Sequence, residues 1–336
     1  MTLNNDTLWL QVPAAKRCYA HQASTPAKPK NIEKITLELS SLHNHEAPYI
    51  DKININLFLA DHGIANKPIT DETIKSYISK NDVHRLLNKK SNTKFTIINL
   101  GTITNFKASN KIINSTIASK TGNICHASAM NNEQLAKAIN IGRQLAQGTK
   151  LSGQQLFIAS EVNTFNIISA KAITSALLNI MPDELTELNS IKNNKCDENR
   201  IIQQSLQRHA AQLTSPLRIL RHLGSFEIAS ITGSYLCCAH MGLPILVNSL
   251  TTAVAALITY KLCPGAEQWF VFSHSSSEVA YEKIIEILNV QPLLPIDTNI
   301  DNIASIESSL SLLKLACSDN NQLMCFSNEF LLRRYS

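Results

Sequence analysis

The chain has 336 residues, of which 44% are hydrophobic and 17% are charged. These values are typical of a globular protein with a sizeable core and exclude an extended disordered chain. The net charge of +5 is mild and the lysines are not interleaved with aromatic residues, so the composition also argues against nucleic-acid binding.

Short apolar runs alternate with helical patterns along most of the chain. This alternation is typical of a mainly parallel sheet with helices on both faces. We therefore predict a doubly wound α/β core over residues 51–300 and a smaller helical domain from the N- and C-terminal segments, 1–50 and 301–336. The predicted strands are 53–59, 95–100, 156–159, 245–247 and 269–272, and the predicted helices are 32–42, 71–88, 132–147, 169–180, 198–212, 227–241, 251–262, 278–289 and 303–316.

One uncharged segment, Ile228–Tyr260, is long enough to span a membrane. Gly242-Leu243-Pro244 interrupts it, so we interpret it as a helix, a buried strand and a second helix of the core, and we predict no membrane contact.

The eight cysteines form no CxxC pair and no secretory signal precedes them, which indicates reduced thiols in a cytoplasm. Cys237, Cys238 and His240 are metal-ligand types, but adjacent cysteines on an apolar helix are usually core residues, and no metal or other cofactor is predicted.

Polar residues directly follow several of the apolar runs. Ligands of doubly wound proteins bind beyond the carboxyl ends of the strands, so these positions are candidates for a binding site. The candidates taken from these strand ends are Asp61, His62, Glu161, Asn163, Asn166, Asn248 and Ser273.

The turn that follows the strand at 156–159 is unusual. A strand that runs into a helix N-terminus offers unpaired N–H groups and the positive end of the helix dipole to an anion. Phosphate turns usually contain glycine so that the backbone can approach the ligand, yet Ser160–Asn166 has none and Ile167-Ile168 follow it. These residues alone leave open whether the turn is a phosphate site or the remains of one.

Several motifs in order resemble one family: ADHG at 60–63, TGNI at 121–124, SAM at 128–130, the Glu161 turn, LRHLGSFEIASITGSYLCCAHMGLPILVNSLTTAVAAL at 220–257, SHSSSE at 273–278 and QPLL at 291–294. The set resembles the nicotinate-nucleotide–dimethylbenzimidazole phosphoribosyltransferases over roughly residues 50–315. The resemblance implies a pentosyltransferase, usually homodimeric, that makes the α-ribazole phosphate used for the lower ligand of cobalamin. In such enzymes a benzimidazole ring nitrogen displaces nicotinate from nicotinate mononucleotide.

The resemblance also implies roles for single residues. Asp61 and His62 match the family's ADHG, and Glu161 and Asn166 match its G-E-x-G-x-x-N-T-T turn. The glycines of that turn are replaced by Ser160 and Asn163, and its threonines by Ile167 and Ile168. The resemblance therefore implies that the turn is the remains of a phosphate site.

Two further positions concern the phosphate and the general base. Arg200 falls where the family has a phosphate-binding lysine, and the two side chains differ in geometry. The family's proposed general base falls at Asn302, whose amide cannot accept a proton at neutral pH. Asp301 or Glu307 is a possible substitute.

Two functional hypotheses follow. The chain is either a diverged phosphoribosyltransferase that acts weakly on a nucleotide and an aromatic base, or a catalytically silent paralogue that serves as a partner subunit or scaffold. It forms a homodimer or a heterodimer with an intact paralogue. Structural roles stay open for the same residues: Asp61-His62 and Glu161 at element ends, Glu227 at a helix start, Arg200 on a helix surface, and Ser273-His274 with Glu278 in helix capping rather than as a hydrolase pair.

Overall fold

A sheet of parallel strands lies at the centre of the protein. A computed structural model describes residues 39, 42–43, 49–65, 68–79, 92–106, 112–162, 165–185, 193–297 and 304–317. In these ranges the sheet has the strands β1 (Lys52–Ala60), β2 (Asn92–Gly101), β3 (Ile112–Asn114), β4 (Leu156–Glu161), β5 (Ile245–Val247) and β6 (Phe270–Phe272). Their order is β3-β2-β1-β4-β5-β6, and every neighbouring pair is parallel. The predicted doubly wound, mainly parallel α/β fold is therefore confirmed.

Helices connect the strands. They are α1 (Asp71–Ser79), α2 (Asn132–Leu151), α3 (Asn166–Leu178), α4 (Asn193–His209), α5 (Pro216–Leu223), α6 (Phe226–Met241), α7 (Leu250–Leu262) and α8 (Val279–Leu288). Residues 304–317 are also helical. Single 3-10 turns occupy Pro182–Leu185, Ala210–Gln212 and Ala266–Trp269, and a second small parallel sheet pairs β7 (His274–Ser275) with β8 (Leu294–Asp297).

The central strands are buried on both faces, as near-continuous apolar runs predict. All six residues of β4 and all three of β5 are buried, which confirms the expectation for Ile245–Val247. Helices α6 and α7 are buried on almost every side, which explains why the segment between Ile228 and Tyr260 needs no charge. Within the described residues, no helix is long and apolar enough to cross a membrane.

The terminal segments pack on the same core as the sheet. Leu39 and Leu42 belong to the hydrophobic cluster of β1 and β4, and so do Ile306, Leu310 and Leu313 of the helix at 304–317. The smaller helical domain that the sequence suggests stays a prediction, since most of residues 1–50 and 318–336 lie outside the described residues.

Side-chain caps determine where several helices begin. The Ser225 hydroxyl accepts a hydrogen bond from the Ile228 N–H at the start of α6, and Ser249 forms a capping box with Thr252 at the start of α7. Gly242, with φ 63°, ends α6 in a left-handed conformation. These caps place the N-termini of α6 and α7 at the edge of the sheet where the parallel strands end.

Candidate active site at the carboxyl edge of the sheet

The switch point of the sheet lies between β1 and β4, the neighbours from which the chain builds in opposite directions. A crevice for ligands forms at such a point, beyond the carboxyl ends of the strands. Strand β1 leads directly into Asp61 and His62, and β4 ends at Glu161. The sequence-predicted residues of these two strands therefore lie at the position where a doubly wound protein binds its ligand.

Asp61 holds two loops through their backbones. One of its carboxylate oxygens accepts a hydrogen bond from the Ile69 N–H and the other from the Ile103 N–H, each at 2.8 Å. The side chain is 1% exposed. This arrangement corresponds to the structural alternative for Asp61, and a contact with substrate stays a prediction.

His62 belongs to a buried polar group that also contains Asn166, Glu227 and Ser225. The Nε2 atom of His62 lies 3.3 Å from the Oε1 atom of Glu227, and the Asn166 amide donates to the same oxygen at 3.2 Å. The Ser225 hydroxyl in turn donates to the Asn166 carbonyl oxygen at 2.8 Å. Glu227 is fully buried beside two predicted site residues, so a residue that the sequence suggested only as helix start and core is part of the candidate site.

Glu161 is joined to the start of α7. The Ser249 hydroxyl lies 3.2 and 3.3 Å from its two carboxylate oxygens. Burial raises the pKa of the neighbouring Tyr235 well above its usual value, and the nearby Glu161 carboxylate adds to the effect. Asn248, also buried, accepts a hydrogen bond at its backbone carbonyl from Ser305 at 3.4 Å, which brings the helix at 304–317 to the same edge.

At the end of β6 the structure differs from the sequence prediction. Ser273, directly after β6, bonds through its hydroxyl to the Nδ1 atom of His274 at 2.6 Å, and the His274 ring stacks on Tyr281. The capping role expected of this motif is wrong, because α8 begins at Val279 and its N-cap residue, Glu278, makes no side-chain capping bond. Glu278 instead forms an ion pair with Lys171 at 2.8 Å.

Lys171 was missed by sequence reasoning. It is 4% exposed and lies on α3, the helix that starts beside the candidate phosphate turn. Side chains on a helix lean toward its N-terminus, so the ion pair lies toward the carboxyl edge of the sheet. The only local signal was a single lysine within the otherwise uncharged run NIISAKAITSALL.

The remaining predicted residues lie elsewhere or outside the described ranges. Arg200 is exposed on α4, and its guanidinium donates to the neighbouring Asp197 at 3.2 Å. Its role as the counterpart of a phosphate-binding lysine stays a prediction. Asn163, Asp301 and Asn302 lie outside the described residues.

The TGNI and SAM motifs build a loop that supports the site. The Gly63 N–H donates to the Thr121 hydroxyl at 3.2 Å, and a Cβ atom on Gly63 would lie 2.4 Å from the Asn123 nitrogen. The ADHG loop and the TGNI loop therefore approach too closely for any residue but glycine at position 63.

His222 joins this loop to α5, and its hydrogen bonds define its tautomer. An Arg221 N–H donates to Nε2, so the proton of a neutral ring sits on Nδ1 and is donated to the Ser128 hydroxyl at 2.9 Å. Ser128 is therefore an acceptor and not an activated nucleophile. Burial, reinforced by the charges of Arg221, His209 and Arg218, lowers the pKa of His222 to about 4.

We expect this shift to make the protein less stable in mild acid. Since the folded-state pKa is below the ordinary value of 6.5, the unfolded chain binds more protons between pH 6.5 and 4. The contribution of His222 to stability is complete above pH 6.5 and is lost as the pH falls toward 4, with a slope of up to about 1.4 kcal/mol per pH unit. Urea unfolding at several pH values measures it.

The matched variants for this measurement are His222→Gln and His240→Gln. The first should reduce the free energy of unfolding at pH 7 and flatten its decline below pH 6.5, because the titrating ring is gone. The second replaces an exposed histidine and should leave the decline as it is. Parallel pH profiles for all three proteins would contradict the assignment.

No metal centre is built among the described residues, where no group of three or more metal-ligand types comes together. The described free cysteines, which are Cys125, Cys237, Cys238, Cys263 and Cys317, are all buried. Burial also raises the pKa of the Cys238 thiol well above its usual value, which makes it a packing residue.

The fold and the placement of these side chains define a doubly wound α/β protein with a candidate ligand site at the switch point of its sheet. A family model described as phosphoribosyltransferase matches residues 12–328. Among curated relatives, the nicotinate-nucleotide–dimethylbenzimidazole phosphoribosyltransferase of Ectopseudomonas mendocina is 28% identical over 90% of this chain and 89% of its own length. That of Pseudomonas putida is also 28% identical, over 88% of this chain and 87% of its own.

Solved structures show the same architecture. The Thermus thermophilus enzyme of that name superposes with a TM-score of 0.74 at 22% identity, covering 86% of this chain and 89% of that one. A structure titled CobT from the same organism gives a TM-score of 0.75 at 21% identity, over 88% of this chain and 92% of the other. The chain belongs to the nicotinate-nucleotide–dimethylbenzimidazole phosphoribosyltransferase family, as a diverged member.

Proposed function

We propose that this chain binds nicotinate mononucleotide and transfers its phosphoribosyl group slowly to a ring nitrogen of an aromatic base. Membership of the family supports the reaction type. The observation that carries the proposal is the meeting of two polar groups at the β1/β4 switch point: Glu161 with Ser249, and His62 with Glu227 and Asn166.

The transfer needs a nucleophile, a leaving group and a proton acceptor. The base nitrogen attacks C1′ of the ribose, the bond between C1′ and the pyridine nitrogen breaks, and its electron pair leaves with nicotinate. A proton on the other ring nitrogen of the base must then pass to a protein carboxylate. In this proposal Glu161, His62 and Asn166 contact the nucleotide, Asn248 and Ser273 line the same edge, and Asp301 or Glu307 takes the proton in place of Asn302.

Slow turnover is proposed because the phosphate turn is poor in donors. Helix α3 begins after Phe165, whose side chain has no group that can cap a helix, and the proposal places the phosphate at this positive helix end. Ile167 and Ile168 offer no hydroxyl group. The exposed Arg200–Asp197 pair is weak enough to exchange partners with a phosphate, and Asn163 completes the proposed set on the turn.

The direct experiment measures nicotinate release. Purified protein is incubated with nicotinate mononucleotide and a panel of benzimidazoles and phenols, beside the Pseudomonas putida relative as a positive control. Measurable release that depends on the acceptor supports the proposal. No release with any acceptor, while the control enzyme turns over, contradicts it.

Restoring the family's residues tests how the loss of the general base combines with the loss of donors in the phosphate turn. We expect Asn302→Glu alone to raise activity only a few-fold, because the phosphate turn still lacks its donors. The turn variant combines Ser160→Gly, Asn163→Gly, Ile167→Thr and Ile168→Thr, and by itself should also do little. Both together should exceed the product of the separate gains and approach the factor of about 10²–10⁴ that a general base contributes, since groups acting on one transition state are non-additive.

Steady-state kinetics on the four proteins measures this, and unfolding curves show whether each variant is folded. A full gain from Asn302→Glu alone would contradict the assignment of the turn. Complete loss of wild-type activity in Asp301→Ala would show that Asp301 has become the base.

A second candidate function is a silent subunit that pairs with an intact paralogue, in a cytoplasm that keeps its cysteines reduced. The observation that favours it is the joint replacement of the family's glycines and threonines in the turn at 160–168 and of its base at Asn302, while the core segment 216–294 is kept. The mass of the purified chain, alone and mixed with an intact copy from the same genome, distinguishes a homodimer from a mixed dimer. A mixed dimer whose rate exceeds that of the intact copy alone supports this role, and unchanged rate and mass contradict it.

A further inference from the structure

Four buried polar side chains form what we define as the Glu227 network: Glu227, His62, Asn166 and Ser225. All four side chains are at most 2% exposed. Residues distant in sequence form it: Glu227 lies 165 positions from His62 and 61 from Asn166. The network joins the end of β1, the start of α3 and the start of α6.

Hydrogen-bond chemistry determines which atoms carry protons here. A carboxylate only accepts hydrogen bonds, so both His62 Nε2 and the Asn166 amide donate to the same Oε1 atom of Glu227. The Asn166 carbonyl oxygen is then turned to the Ser225 hydroxyl. The His62 proton is held on Nε2, which leaves Nδ1 as the ring nitrogen for another partner.

Packing alone does not explain why the second carboxylate oxygen of Glu227 is buried. Oε2 is buried and has no hydrogen-bond partner among the described residues. A buried carboxylate with an unfilled acceptor is costly, and an apolar side chain of similar size would often serve stability better. Groups of this kind are found where function requires them, and this one lies at the switch point of the sheet.

We propose that Glu227 is a positioning residue for the proposed transfer reaction: through His62 and Asn166 it orients the two side chains that contact the nucleotide. The inference rests on the proposed function. Glu227 itself does not touch the reacting atoms. Its carboxylate keeps the His62 ring in one tautomer and the Asn166 amide in one orientation, and both effects depend on its negative charge as well as on its shape.

The central variant is Glu227→Gln, which keeps the shape and removes the charge. We expect kcat/KM for nicotinate mononucleotide to fall about 10- to 100-fold, because His62 and Asn166 then hold the nucleotide less tightly and in a less productive position. The matched control is Ser234→Ala on the same helix, which removes a buried hydroxyl bonded at 3.0 Å to the Gly142 carbonyl, away from the strand ends. It should lower stability without changing kcat or KM.

A swap variant tests the hydrogen-bond assignment of the network through stability alone, because Asn166 contacts the nucleotide in the proposed function. The double change Asn166→Asp with Glu227→Gln keeps one carboxylate and one amide in the network, with partners for each. It should recover most of the stability that Glu227→Gln loses. A swap no more stable than Glu227→Gln would contradict the assignment on which the inference depends.

A binding measurement keeps this test separate from the proposed function. If the wild-type protein releases no nicotinate, the proposed function fails, and calorimetric titration with nicotinate mononucleotide takes the place of kcat/KM. A Kd raised 10- to 100-fold in Glu227→Gln, but not in Ser234→Ala, supports the positioning role. Wild-type affinity in Glu227→Gln, or no binding by the wild type, overturns it. ¹⁵N NMR of the His62 ring should show the Nε2 proton in the wild type, and its absence would also overturn the inference.

Discussion

Gly142→Ala is expected to destabilise the protein by about 3 kcal/mol, because it forces apart two helices that touch through their backbones. A Cβ atom on Gly142 of α2 would lie 1.7 Å from the Ser230 carbonyl oxygen of α6. Gly233 of α6 makes the reciprocal contact, where a Cβ atom would lie 2.1 Å from the Ile139 carbonyl oxygen. We expect Gly233→Ala to have an effect of the same size. Urea unfolding measures both.

Gly148→Ala is the matched control on the same helix. Outside its own helical turns, no atom of the described residues lies within 4 Å of the position its Cβ would take, so the change should stabilise the protein by about 0.5–1 kcal/mol through helix propensity. Opposite signs for Gly142→Ala and Gly148→Ala identify the helix crossing as the cause. A destabilisation of less than about 1 kcal/mol in Gly142→Ala would contradict the close approach of the two backbones.

The second large effect is expected for Asp61→Ala, at about 3 kcal/mol of lost stability. The change leaves the Ile69 and Ile103 N–H groups without the carboxylate that accepts from them. Asp61→Asn keeps one accepting oxygen but turns an amide toward the other N–H, so its loss should be intermediate. Hydrogen exchange at the Ile69 and Ile103 amides gives a local reading, and it should accelerate in both variants.

A loss of activity with unchanged stability and unchanged amide exchange would show instead that Asp61 binds the ligand. That outcome would favour the binding role over the structural one. Because the loop that leads to Ile69 starts with His62, we expect a part of any activity to be lost with stability.

Local patterns in the sequence determined the main elements of this fold. Strands β1, β4 and β5 are buried on both faces, so each is a run of apolar residues that can be recognised without its neighbours. The polar residues behind them mark the carboxyl edge, because parallel strands must all end there. Replacement of glycine and threonine in the turn at 160–168 is likewise a property of the residues themselves.

Short or exposed elements could not be found in this way. Strand β3 has only three residues, two of them exposed, and β7 has two, so neither carries a readable periodicity. Helix α5 has only eight residues, so its apolar face of Ile219, Leu220 and Leu223 is too short to be recognised without its neighbours. Such elements form because neighbouring parts of the fold supply partners for them.

Only the tertiary structure decided which polar residues meet. Glu227 with His62 and Lys171 with Glu278 are pairs of residues far apart in the chain, and no local spacing predicts them. Burial gives these contacts their importance, since a charge removed from water must find a partner in the folded chain. The sequence alone therefore determined the fold class, the family and the edge of the sheet where the candidate site lies. The packing of α3, α6 and α8 on the strands determined which side chains of that edge lie in contact.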